Sequence, residues 1–223
     1  MIKVNQVVSA AEAQRLRHVD VLGVYVGSGD EHDRAVASGE VPAIRAASGA
    51  RLSVALTPSR RLTADAVHQA LRDLRPDYFE FTAVDPEKTE DVRRQMDLLE
   101  EIDVPKVANG FFLLDDDLSL TDRADYLDQL RAAGVALFQV ELELVAEPGC
   151  RISASGLKTV SRMFADLPFL ISDRFRRISD VPDLGQHGVS FTIGKDGAVS
   201  YDHSTRSMSL PRVLRATSAP EPR

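Results

Sequence analysis

Gln139, Glu141 and Glu143 alternate with Phe138, Val140, Leu142 and Leu144 in the stretch LFQVELEL at residues 137–144. Read as an extended chain with period two, the polar groups share one face and the apolar groups the other. Glu80 and Thr82 share a face in the same way within YFEFTA at residues 78–83. Carboxylates held close together and away from water favour the protonated form. A carboxylic acid still protonated near neutral pH can serve as a general acid. As a second reading, Glu80, Glu141, Glu143 and Asp173 could hold a divalent cation through hard oxygen ligands. The plain structural alternative is an inert interior of mutually hydrogen-bonded polar groups.

The segments that must position these groups alternate from end to end. Residues 2–8, 21–27, 51–58, 78–83, 106–114, 137–144, 169–175 and 189–194 read as strands, and helical patterns lie between them. Ser9 and Glu12 have capping-box spacing before the first helix. A helix is predicted over 34–48, another is capped by Thr121 and stopped by Gly134, and a short one is predicted at 178–184. Crossovers of helical length imply parallel strands and a single closed α/β (β/α)8 TIM barrel over residues 1–217. The tail 218–223 (SAPEPR) reads as disordered. A doubly wound sheet would carry a glycine-rich turn after its first strand, and NQVVSAAEA has no glycine.

In such a barrel, inward side chains near the C-terminal strand ends meet the substrate. They are Asn5, Glu80, Thr82, Gln139, Glu141, Glu143, Asp173 or Arg174, and Thr192. Lys195 follows the last strand and could bind an anion or form a Schiff base. Asp115, Asp116 and Asp117 read as a solvated turn, His32 as exposed, and His18, His68 and His187 as surface groups. His203 lies in a loop that could reach over the site. Cys150 has no histidine nearby in sequence to make it a nucleophile.

The 223 residues carry a net charge of −7, which argues against nucleic acid as the main partner. No apolar run approaches the length of a membrane span, and a single cysteine excludes an intramolecular disulfide. A small-molecule substrate, no cofactor, no membrane partner and a cytoplasmic setting are therefore expected.

IKVNQ, DVLGVYVGSGDEHDR, GVALFQVELE, PFLISDRF and GVSFTIG resemble, in order and register, strands of phosphoribosylanthranilate isomerase, a single-domain TIM barrel of tryptophan biosynthesis. The resemblance implies the barrel fold, a substrate-binding role for Arg34 in the loop after the second strand, and a proton donor at Glu141, where that family has aspartate. The family's catalytic cysteine falls at Asn5, which is no base. Its Q-L-H-G strand end becomes Glu80, Phe81, Thr82 and Ala83. Its phosphate-binding glycine pair becomes Asp173 and Arg174, and its Ser-Gly becomes Ile193 and Gly194. An aspartate there repels a phosphate and fills its space. The expectation is a diverged relative, an isomerase or lyase working by carboxylate chemistry on a different, non-phosphorylated metabolite. The alternatives are a metal-dependent lyase or hydrolase and an inactive, ligand-sensing barrel.

Overall fold

The computed structural model describes residues 1–57, 64–113, 118–142, 153–172, 178, 181, 183–195 and 207–218. The strands in chain order are β1 (Ile2–Asn5), β2 (Val21–Val26), β3 (Ala35–Val36), β4 (Arg51–Leu56), β5 (Tyr78–Thr82), β6 (Lys106–Leu113), β7 (Val135–Leu142), β8 (Phe169–Ser172) and β9 (Gly188–Thr192). The two-residue β3 is a spur on the end of β2. The other eight pair in parallel, and β1 bonds both β2 and β9, so the sheet closes into the expected barrel.

Helices α1 (Ala10–Arg15), α2 (Val41–Ser48), α3 (Ala64–Leu74), α4 (Thr89–Glu100), α5 (Ala124–Ala132), α6 (Ala154–Asp166) and α7 (Leu210–Thr217) lie in the crossovers and at the end. Strand residues of one parity, among them Val24, Val54, Phe138, Val140, Phe169 and Ile171, pack outward with Leu16, Ile44, Leu130 and Phe164 in the main core. The opposite parity turns inward, where Val21, Tyr78, Val107, Leu137 and Leu170 form a separate apolar plug near the strand starts. That plug removes the N-terminal end from solvent and leaves polar side chains for the layers above it.

Local differences from the sequence reading have identifiable causes. The helix predicted over 34–48 begins only at Val41, behind β3 and a 3-10 turn at Ser38–Glu40, with Pro42 in its first turn and Gly49 (φ 72°) as its left-handed stop. Thr121 does not cap α5. Its hydroxyl donates to the Leu118 carbonyl inside a 3-10 turn, and α5 starts after Arg123. Ser9 does cap α1 by accepting the Glu12 N–H, but the Glu12 carboxylate takes the N–H of Val8 instead of completing the box. The strand predicted at 137–144 starts two residues earlier, at Val135, and is described as far as Leu142. Residues 219–223, and residues 179, 180 and 182 of the short helix predicted at 178–184, lie outside the described residues. Among the described residues no helix is long and apolar enough to cross a membrane.

Candidate active site

Above the apolar plug lies a polar layer contributed by six strands. Lys3 on β1 donates to Glu80 Oε2 on β5 at 2.7 Å, to Gln139 Oε1 on β7 at 3.1 Å, and to Asn5 Oδ1. The Glu80 carboxylate also accepts from Ser53 Oγ (2.9 Å), Gln139 Nε2 (2.8 Å) and Asn109 Nδ2 (3.1 Å). Asn5 Nδ2 donates to Gln139 Oε1 at 2.9 Å and reaches Thr192 Oγ1 at 3.5 Å, the outer limit of a hydrogen bond. Lys3 is fully buried and Glu80 nearly so. Desolvation holds the Lys3 amine below its ordinary pKa, against the opposing pull of the Glu80 charge and hydrogen bond. Glycine at 23 makes this layer possible. A Cβ there would stand 2.6 Å from Asn5 Oδ1 and 3.3 Å from Lys3 Nζ. Ser190 Oγ, in register with Lys3, has no hydrogen-bond partner among the described residues, and neither has Thr57 Oγ1.

The layer nearest the C-terminal strand ends holds Glu141. Its neighbours in register are Phe112 on β6 and Ser172 on β8. Glu141 is buried, and Val140 and Leu142 on either side of it belong to the outer core, so its side chain points into the barrel. Half-buried Thr82 and buried Tyr25 are inward by the same parity.

The sequence reading therefore brings Asn5, Glu80, Gln139 and Thr192 into one network and sets Glu141 and Thr82 above it. It errs on the company Glu80 keeps. Glu80 is not simply a like-charged neighbour of Glu141, because its charge is matched by Lys3. The same period that turns Asn5 inward turns Lys3 inward two residues earlier, and Ser53, Asn109 and Ser190 follow from that rule as well. They sit mid-strand, below the C-terminal ends at which substrate-facing residues are expected.

Arg34, expected to bind substrate, is spent elsewhere. Its guanidinium grips both Glu12 oxygens (2.9 and 2.7 Å) and the Gln6 carbonyl (2.9 Å), tying the loop after β2 to the start of α1. Lys195 is exposed beyond β9. His32, expected to be exposed, is instead largely covered and stands edge-on to Tyr25 with ring centroids 4.8 Å apart. Its Nδ1 lies 3.1 Å from the Arg34 N–H, closer than to Asp33 at 3.6 Å, and its Nε2 lies 3.5 Å from Gln6 Nε2. Beside it, Gln6 holds a left-handed φ of 61° at the end of β1. Backbone strain of this kind gathers at functional sites. Glu143, Asp173, Arg174, His203, Cys150 and the aspartates at 115–117 lie outside the described residues. Among the described residues no three His, Cys, Asp or Glu side chains gather to hold a metal ion.

Beside the mouth, a cavity of about 390 Å³ opens between the ends of β5 and β6 and the start of α5. Tyr126 in its wall donates to the Val84 carbonyl (3.1 Å) and Gln95 Oε1 (3.3 Å). Burial, aided by the charge of Asp85 and opposed by the backbone hydrogen bond, pushes its phenol up to about 12. The folded form thus holds this proton more tightly than the unfolded chain, whose phenol keeps the ordinary 10.0. The resulting stability is fully present below pH 10.0 and is lost as pH rises through about 12. Urea midpoints measured across that window should fall more steeply for the native chain than for Tyr126→Phe. Parallel slopes would contradict the assignment.

A closed parallel barrel with a carboxylate at the C-terminal end of its interior defines the class of this molecule, a (β/α)8 barrel. Solved structures share this fold. Phosphoribosylanthranilate isomerase from Thermotoga maritima is 9% identical with a TM-score of 0.58, covering 96% of this chain and 94% of that one. The same enzyme from Thermococcus kodakaraensis is 14% identical with a TM-score of 0.52, covering 96% and 93%. Type I 3-dehydroquinate dehydratase from Clostridium difficile is 12% identical with a TM-score of 0.53, covering 96% and 90%. At these identities the likeness is one of fold. No protein-family model matches the sequence, and no curated protein does.

Proposed function

We propose that this chain is an enzyme of isomerase or lyase type in which Glu141 is the acid/base group. The observation that carries the reading is the division of labour between the two interior carboxylates. Glu80 is committed to Lys3 and three further donors in the middle layer. Glu141 lies one layer nearer the C-terminal end, where barrel substrates bind. Environments that differ in this way let one carboxylate hold the architecture while the other moves a proton.

The chemistry that suits a single interior acid without a cofactor is proton relocation next to a carbonyl or imine. Glu141 would give a proton to one atom of the substrate and regain one from another, as in isomerisation, dehydration or cyclisation. Glu143 would assist, and Asn5, Gln139, Thr82 and Thr192 would line the floor and walls beneath the substrate. Asp173 and Arg174 in place of a glycine pair favour a substrate without phosphate. Only fold, and not activity, connects the chain to the isomerase and dehydratase barrels it is similar to. A reducing cytoplasm suits its single cysteine.

The test is turnover of a panel of small hydroxy and keto metabolites, phosphorylated and not, with and without EDTA. Turnover of a non-phosphorylated compound that survives EDTA is the expected result. Abolition by EDTA would replace this reading with a metal-dependent one. The gene should also fail to rescue a tryptophan auxotroph lacking phosphoribosylanthranilate isomerase, and growth would overturn the proposed divergence.

A further inference from the structure

Strand β6 changes parity partway along, and the change exposes one ring. Val107 and Asn109 point inward, the first in the apolar plug and the second on Glu80. Strict alternation would turn Phe111 inward next and send Phe112 out to the helices. The register instead jumps. Ala108 pairs with Phe138 and Phe111 with Val140, so three steps on β6 are matched by two on β7. The extra residue is taken up around Gly110, whose φ is 91° and whose Cβ, had it one, would stand 2.9 Å from Thr82 Cγ2. Phe111 therefore faces outward and packs on Phe138 (centroids 6.0 Å apart), while Phe112 shares the row of Glu141 on the inner side. Phe112 is 43% exposed, and it is the exposed large hydrophobic among the described residues. It also lines the cavity of about 390 Å³ with Gly110, Phe111, Leu120 and Tyr126. Bulges near active sites commonly re-aim a side chain in this way. A large apolar side chain in the row of an inward carboxylate, at the C-terminal strand ends and in a cavity wall, is the lining expected of a small-molecule site.

We propose that Phe112 is a specificity-determining wall of the site, aimed there by the bulge at Gly110, and that the ligand carries a flat, apolar ring that stacks on it. The proposal rests on the reading of Glu141 as the reactive group and narrows it to ring-bearing substrates. Offset or edge-to-face contact with the Phe112 ring supplies binding energy remote from the reacting atoms.

Indole serves as the probe, a neutral flat ring, with inorganic phosphate as the comparison, both followed by amide NMR of the full chain. Indole should bind saturably with shifts concentrated at residues 110–112 and 141, and phosphate should leave those amides unmoved. Phe112→Ala should weaken indole about tenfold or more, Phe112→Tyr should retain it, and Phe112→Leu, which keeps bulk but no ring, should fall between. No indole binding, equal affinity in Phe112→Ala, or shifts confined to residues away from 110–112 and 141 would each overturn the proposal. A Glu141→Gln variant with unimpaired turnover would sink the acid/base reading and leave the indole result standing, so the two failures are distinguishable.

Discussion

Lys3→Met is expected to destabilise the fold by about 3–5 kcal/mol, the usual consequence of removing one partner from a buried ion pair. Glu80 would keep its charge inside the barrel with the neutral donors Ser53, Asn109 and Gln139 in place of the lost cation. Asn5 and Gln139 would each lose a hydrogen bond as well. The size of the loss says little about what the intact pair contributes. Desolvation outweighs the attraction of Glu80 and holds the Lys3 pKa below its ordinary value, so burial offsets part of what the attraction contributes. The double variant Lys3→Met, Glu80→Gln should therefore recover much of the loss, because no uncompensated charge remains. Urea denaturation of the three proteins decides it. A single variant within about 1 kcal/mol of the native chain would mean that Glu80 takes up a proton or that water enters the layer.

Glu141→Gln is expected to fold with native stability and to lose turnover on the order of 10²-fold or more. Glutamine matches the size of glutamate and keeps its hydrogen-bonding capacity but transfers no proton. Position 141 lies above the Lys3 network, and the hydrogen bonds from Lys3, Ser53, Asn109 and Gln139 to Glu80 are made without it. The loss should appear in kcat more than in KM, since the group acts on the transition state and the binding surfaces remain. Glu80→Gln gives the contrast. It should lower stability first, because it leaves the buried Lys3 amine without its anion. Equal kcat for Glu141→Gln and the native chain would remove Glu141 from the mechanism.

Barrel closure and the inward face of Glu141 were legible in the sequence for one physical reason. Both follow from local periodicity: period two along the strands, helical period between them, and crossovers too long for hairpins. The apolar residues at 138, 140 and 142 leave the carboxylate at 141 only one direction to point. The partner of Glu80 was not legible, because it lies 77 residues away in the chain and meets it only across the closed barrel. The grip of Arg34 on Glu12 and the cover of Tyr25 over His32 likewise depend on where the loop after β2 folds back. Phe112 shows the limit most directly. Period two assigns it to the outside, and the register shift at Gly110 places it inside. That shift is set by the fit of β6 against β7 and Thr82, which exists only once the strands have packed.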